Sequence, residues 1–178
     1  MKIIELEIVG AYLIDNFRAE DARGSFEKIY NKDSFAELGL ETVFCESYYS
    51  CSTLNVIRGM HVQLPPNDHV KLVHLFRGEA IDVIFDMRKA SRTYGKAIGI
   101  HLSEGQGKSI YIPRGCAHGF KSLSNDTMMI YHVSTVYNRE ADTGIRYDSI
   151  GYDWDCGLPV MSERDRCLSR FEEFENPF

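Results

Sequence analysis

No stretch of this 178-residue chain stays apolar for the ~20 residues that a membrane-spanning helix needs. Cysteine is scarce and unpaired in pattern. Cys45, Cys51, Cys116, Cys156 and Cys167 are odd in number and form no C-x-x-C pair. That speaks against a disulfide scaffold and a structural zinc site, and points to a reducing cytoplasm. Positive charge is also in deficit, with 20 Lys and Arg against 26 Asp and Glu for a formal net charge of −6. An extended basic face for nucleic acid is not expected, although a local cationic pocket for a small anion needs nothing more. Linkers, low-complexity tracts and internal repeats are missing, so residues 1–178 are expected to form one domain. The N-terminal Met1–Glu7 alternates polar and apolar residues and reads as a strand, not a signal peptide.

What is present is a succession of short strands divided by glycine-containing turns. The pattern predicts strands over 3–14, 25–30, 43–52, 70–76, 79–87, 96–102, 108–112, 117–123 and 127–137, with Arg77-Gly78 as a tight turn. Ile81, Val83, Phe85 and Met87 share one face and Ala80, Asp82, Ile84 and Asp86 the other, the period of a half-buried strand. Helical signals are few. Lys32–Leu38 predicts two short turns, and Ser162-Glu163-Arg164-Asp165 resembles a capping box opening a C-terminal helix. Many short strands with few helices predict a mostly β fold, a sandwich or a jelly-roll barrel, with a short C-terminal helix.

Two segments carry most of the chemistry. Ile57-Arg58-Gly59-Met60-His61 and Pro113-Arg114-Gly115-Cys116-Ala117-His118-Gly119-Phe120 each place a histidine near glycine and arginine. The pattern Gly107-x₅-Pro113-x-Gly115-x₂-His118 matches the second motif of the cupin barrels. Their first motif normally supplies H-x-H and a glutamate to a metal, but here it reads His61-Val62-Gln63. A metal site needs three or four ligands at fixed geometry, so none is expected. Plainer roles compete for several residues. His69, His74, His101 and His132 read as satisfied structural histidines, and Cys116 as a small buried thiol. Asp165 is equally accounted for by the capping box, Tyr131 by core packing between Met129 and Val133, and Asp82 by a solvent-facing strand position. Arg58 and Lys71 are equally accounted for as ordinary surface charges, although Arg58, beside Val56 and Ile57, also reads as a cation on a mainly interior strand, which would need a carboxylate or phosphate partner.

In order, the chain carries Asp21-x-Arg23-Gly24-x-Phe26, Asn55-Val56-Ile57-Arg58-Gly59-Met60-His61-x-Gln63, Lys71-Leu72-Val73 and Gly78-Glu79-Ala80-Ile81-Asp82-Val83. Asp86-Met87-Arg88-x₂-Ser91-x-Thr93-Tyr94-Gly95, Leu102-Ser103, Ile112-Pro113-x-Gly115-x-Ala117-His118-Gly119-Phe120, Tyr131 and Ser162-x₂-Asp165 follow. Together these resemble the dTDP-4-dehydrorhamnose 3,5-epimerase family, from about Gly10 to the C-terminal helix. The resemblance implies a cofactor-free cupin jelly roll, a homodimer, acting on nucleotide-linked 4-keto-6-deoxy sugars by inverting carbon 3, carbon 5 or both. It implies that His61 is the base, Asp165 its dyad partner, Tyr131 the acid and Lys71 the stabiliser of the oxyanion. Arg23, Phe26, Arg58 and His118 would hold the substrate, the arginines and His118 through its pyrophosphate.

The chain departs from the family pattern where the nucleotide and sugar would be touched. Glu46 and Tyr48 stand where Gln and Asn are usual. Ser25, Phe26 and Lys28 replace two aromatics and a glutamate, Tyr147-Asp148-Ser149 replaces Trp-x-Asp, and Asp155 replaces a proline after Trp154. A carboxylate only accepts hydrogen bonds, so a Glu46 facing the base would suit guanine or cytosine better than thymine. Three rivals stay open at this point: a sugar-nucleotide ketoisomerase, a metal-dependent cupin oxygenase separable by metal analysis, and a binding-only relative in which no proton exchanges.

Overall fold

The computed structural model describes every residue from Met1 to Phe178. Its strands are β1 (Lys2–Glu5), β2 (Tyr12–Asp15), β3 (Phe17–Asp21), β4 (Gly24–Lys28), β5 (Glu46–Ser52), β6 (Ile57–Gln63) and β7 (Lys71–Arg77). They continue with β8 (Glu79–Asp86), β9 (Ala97–Ser103), β10 (Lys108–Ile112), β11 (Cys116–Ser122), β12 (Thr127–Val133) and β13 (Asp142–Gly144). One sheet runs β1-β2-β10-β7-β12-β5 and the other β13-β6-β11-β8-β9, while β3 and β4 form a separate hairpin. Every pairing within these sheets is antiparallel. The result is a cupin-type jelly roll.

The two sheets face each other across a core that includes Val73, Leu75, Ile84, Leu102, Ile110, Phe120 and Met129. Their outer faces are covered as well. Helix α1 (Lys32–Glu37) docks Phe35 onto Ile14, Leu72 and Tyr111. It starts at Asn31, whose side chain accepts the Ser34 N–H at 3.0 Å. The C-terminal third packs Ile145, Ile150 and Trp154 against Met60, Val62, Val83 and Phe85. Strand β8 is therefore buried on both faces, not half-buried as its alternation suggested. Asp82 and Asp86 are fully buried, which overturns the solvent-facing reading of Asp82.

Other differences have equally local causes. The expected strand 3–14 is two strands, β1 and β2, folded back around Gly10 at φ +77°. Strands β3 and β6 are not singled out by the pattern. The first is polar throughout, and the second is mostly buried and interrupted by glycine, so neither alternates cleanly. The C-terminal helix, α2, is a single turn at Glu163–Arg166, because the chain after it leaves to cover the second sheet.

Strands β6 and β11 pair with an irregularity. His61 lies opposite His118 and Arg58 opposite Phe120, so β6 takes three steps where β11 takes two. The extra residue is a bulge at Gly59, φ +132°. A Cβ on Gly59 would lie 2.5 Å from the Cα of Gly119, and one on Gly119 would lie 2.7 Å from the Arg58 carbonyl oxygen. Both neighbours are backbone and cannot move aside. Gly59→Ala is expected to cost about 3 kcal/mol or more by clash and backbone strain. Gly157→Ala, with nothing within 4 Å, is expected to change stability by less than about 0.5 kcal/mol. Urea unfolding of both variants checks the contrast.

Candidate active site

A cavity of about 350 Å³ opens between the two sheets. Strand alternation decides what it receives. The inner face of β5 presents Glu46, Tyr48 and Ser50, β7 presents Lys71, and β12 presents Tyr131 and Val133. The opposite sheet contributes Arg58 and His61 from β6 and His118 from β11. Arg58 and His61 are three residues apart, so a regular strand would send them to opposite faces. The bulge at Gly59 brings both into one cavity.

His61 Nε2 lies 2.8 Å from Asp165 Oδ1. A carboxylate accepts only, so Nε2 carries the proton and Nδ1 is left with its lone pair. Asp165 is 4% exposed, and its second oxygen accepts the Gly59 N–H at 3.2 Å. Burial alone would raise its pKa. The hydrogen bond and charge of His61, the Gly59 N–H and the Ser162 contact outweigh burial and hold the carboxyl below the usual carboxylate range. The capping box is real in its backbone half: the Asp165 N–H donates to Ser162 Oγ at 3.1 Å. The carboxylate itself serves His61 and Gly59, so the cap and the dyad coexist.

Lys71 is buried and donates to the His61 carbonyl at 3.2 Å. Burial lowers its pKa to about 8, against the pull of Asp142 and Asp82. Tyr131 is buried too, with its hydroxyl 3.4 Å from Ser50 Oγ and its ring stacked on Tyr48. Burial pushes its pKa well above the usual phenol value, so it stays protonated. His118 Nε2 lies 2.7 Å from Asp82 Oδ2, and both residues are buried. His118 thus lines the cavity with its Nε2 already committed to a carboxylate, a tighter setting than a free pyrophosphate ligand would have.

The remaining expected residues divide. Arg58 is exposed and not interior. Its Nε donates to Ser52 Oγ at 3.0 Å and its Nη2 to the Cys51 carbonyl at 2.9 Å, with no carboxylate partner. Glu46 lines the cavity and accepts the Tyr137 N–H through one oxygen at 2.6 Å. Arg23 and Phe26 lie on the β3–β4 hairpin and do not line this cavity. The Arg23 side chain is 90% exposed and pairs only with Asp21, at 2.6 Å.

Several cavity residues escape sequence reasoning. Ser50 follows Tyr48 by two positions and so shares its face, a signal that was available. Asp142 and Arg164, paired at 2.8 Å, arrive from the short β13 and the single turn α2, where no periodicity points inward, while Tyr137 falls in the expected strand 127–137 on the face of Tyr131 but lies in the loop after β12, which ends at Val133. His69 corrects its structural reading. It lines the cavity, its Nδ1 accepts from Gln63 Nε2 at 3.3 Å, and its buried Nε2 makes no hydrogen bond within the protein. Burial, then Lys71, lowers its pKa to about 3, so it is neutral. His74, by contrast, is satisfied by the Lys108 carbonyl and Ser109, and Cys116 is a buried thiol whose pKa burial pushes up to about 12.

Base and acid candidates therefore stand on opposite sheets, with Lys71 on the acid's sheet reaching the His61 carbonyl, an arrangement suited to removing a carbon-bound proton and returning one to the other face. Comparisons with known proteins agree. The family model described as dTDP-4-dehydrorhamnose 3,5-epimerase matches residues 5–173. A dTDP-4-dehydrorhamnose 3,5-epimerase of Methanothermobacter thermautotrophicus is 38% identical over 170 residues, covering 93% of this chain and 91% of that protein. The crystal structure of the Elizabethkingia anophelis enzyme superposes with TM-score 0.92 at 33% identity, covering 99% of this chain and 98% of that one. A Legionella pneumophila 3,5-epimerase in complex with dTDP-4-keto-L-rhamnose gives TM-score 0.92 at 30% identity, covering 98% and 94%. The chain belongs to the dTDP-4-dehydrorhamnose 3,5-epimerase family and is a nucleotide-sugar epimerase.

Proposed function

We propose that this chain, acting as one domain in the cytoplasm, inverts carbon 3, carbon 5 or both of a dTDP-linked 4-keto-6-deoxy sugar through His61, Lys71 and Tyr131. The observation that carries the assignment is the placement of His61 and Tyr131 on facing sheets. A sugar ring between them offers one face to each.

His61 Nδ1 takes the proton from the carbon beside the keto group, and the C–H electron pair becomes the enolate. Asp165 fixes the tautomer and stabilises the imidazolium as it forms. Lys71 is a preorganised cation for the negative charge that develops on oxygen. Tyr131 donates its phenolic proton to the opposite face of the same carbon, and solvent later restores both groups. Arg58 holds a phosphate with the donors its neutral partners leave free. Glu46 keeps one oxygen for the base, which supports testing GDP- and CDP-linked sugars beside the dTDP ligand.

A homodimer accounts for Arg23 and Phe26. They belong to a hairpin that stands off both sheets, with Phe26 58% exposed, and a second copy's cavity would receive them. Each site would then draw its base from one subunit and its hairpin from the other.

Three outcomes test this reading. In heavy water, NMR should show deuterium entering carbon 3, carbon 5 or both of the accepted sugar nucleotide, at a rate lowered on the order of 10³-fold by His61→Ala. Binding without exchange would leave a non-catalytic sugar-nucleotide protein. Since Lys71 is charged only below about pH 8, kcat/KM should fall as pH rises through that value. Lys71→Arg, charged throughout, should move the fall upward. Coexpressed Arg23→Ala and His61→Ala subunits should recover about a quarter of wild-type activity, because half the dimers are mixed and each holds one intact site. No recovery would place the hairpin's function within its own subunit.

A further inference from the structure

Tyr48 has a specific relation to the proposed acid. It lies directly opposite Tyr131 across the β5–β12 ladder, with ring centroids 4.8 Å apart and planes within 19°. Both rings line the cavity. Strand β5 is the edge of its sheet, so Tyr48 is 42% exposed while Tyr131 is only 7% exposed. Tyr48 is the cover that lies between Tyr131 and the open edge of the barrel.

A tyrosine ring can spin about its Cγ–Oη axis without moving its hydroxyl. The motion that displaces the hydroxyl is a swing of the whole ring about χ1. A second ring stacked on one face blocks that swing toward the sheet edge, and the His118 ring stands edge-on 6.1 Å away. Ser50, two residues along the same face of β5, is the hydrogen-bond partner of the Tyr131 hydroxyl at 3.4 Å. One strand thus supplies both the stop for the ring and the partner for its oxygen.

We propose that Tyr48 is a positioning residue for reprotonation: by stacking on Tyr131 it holds the acid's hydroxyl toward the substrate and keeps water from that face of the enolate. The inference rests on Tyr131 being the acid. Burial first, and then Glu46 and Asp142, raise the Tyr48 pKa to about 12, so its phenol stays protonated as that of Tyr131 does. Its contribution is the ring and not the hydroxyl.

The role predicts a particular kinetic signature. His61 can exchange the substrate's proton with solvent and return it to the same face, giving deuterium incorporation without inversion. Delivery from Tyr131 gives inversion. Exchange and inversion are therefore measured together in heavy water, for the wild type, Tyr48→Leu, Tyr48→Phe and Tyr131→Phe. Tyr48→Leu should raise the ratio of exchange to inversion about tenfold, a part of the ~10²-fold that a ~1 Å misplacement of a catalytic group can cost. Tyr48→Phe, which keeps the ring, should hold the ratio at the wild-type value. A Tyr48→Leu ratio equal to wild type, whether or not total activity falls, would overturn the proposal, because a purely structural or substrate-binding role lowers both rates alike. Tyr131→Phe serves as the reference. If it leaves inversion intact, the assignment of Tyr131 as acid fails, and that outcome is distinct from a failure of the stacked ring alone.

Discussion

One extra residue in β6 governs the geometry of the cavity. At Gly59 the strand bulges against β11 at a separation where no side chain fits on either Gly59 or Gly119. The bulge reverses the inward and outward alternation between Arg58 and His61, so one strand delivers a guanidinium and an imidazole to the same space. It also turns the Gly59 N–H toward Asp165, which thereby bonds both the backbone of the bulge and the imidazole two residues on. The glycines flanking the two histidine motifs are thus explained by packing, and the packing in turn aims the chemistry.

Buried charge in this barrel is arranged around that constraint. Lys71, Asp82 and Asp165 are each less than a tenth exposed, yet only the aspartates have ionisable partners within hydrogen-bond distance, His118 and His61. Lys71 has a carbonyl, which compensates desolvation less well, and its depressed pKa follows. Such a lysine is a cation near its limit, whose charge gains most when a negative oxygen forms beside it. In the proposed reaction the cost of its burial in the resting state would be recovered as the enolate develops.

The legible parts of the sequence were those where a motif is local. Lys71, Tyr131 and His118 sit on strands that the pattern singles out, His61 stands out by its glycine-flanked motif, and all four line the cavity. Short strands and turns led to a mostly β sandwich or jelly roll, and the ordered family motifs singled out the jelly roll. What was not legible depends on distant pairing. The 3–14 segment reads as continuous because its turn is carried by the single Gly10. Asp82 reads as exposed because alternation does not say which face of β8 turns into the barrel: Asp82 lies on the inner face with Ala80 and Ile84, while the apolar face of Val83 and Phe85 is covered by the C-terminal third. His69, Asp142 and Arg164 reach the cavity from a loop, a three-residue strand and a single helical turn, where sequence spacing carries no direction.

The acidic balance of the chain bears on how it meets an anionic substrate. A net charge of −6 opposes the approach of a diphosphate at long range, but solvent screening confines that field to about 8 Å at physiological salt. Attraction has to be local. Of the cations at the cavity, Arg164 is paired with Asp142 and Lys71 is turned inward to a backbone carbonyl. Arg58 alone combines exposure with neutral partners, the Ser52 hydroxyl and the Cys51 carbonyl, which orient its guanidinium without cancelling its charge. Because Arg58 and His61 share the bulged strand, a phosphate held by the first, as proposed, would fix the sugar's distance from the second. Binding energy gathered at the diphosphate would then be spent on placing one carbon between the His61 imidazole and the Tyr131 phenol.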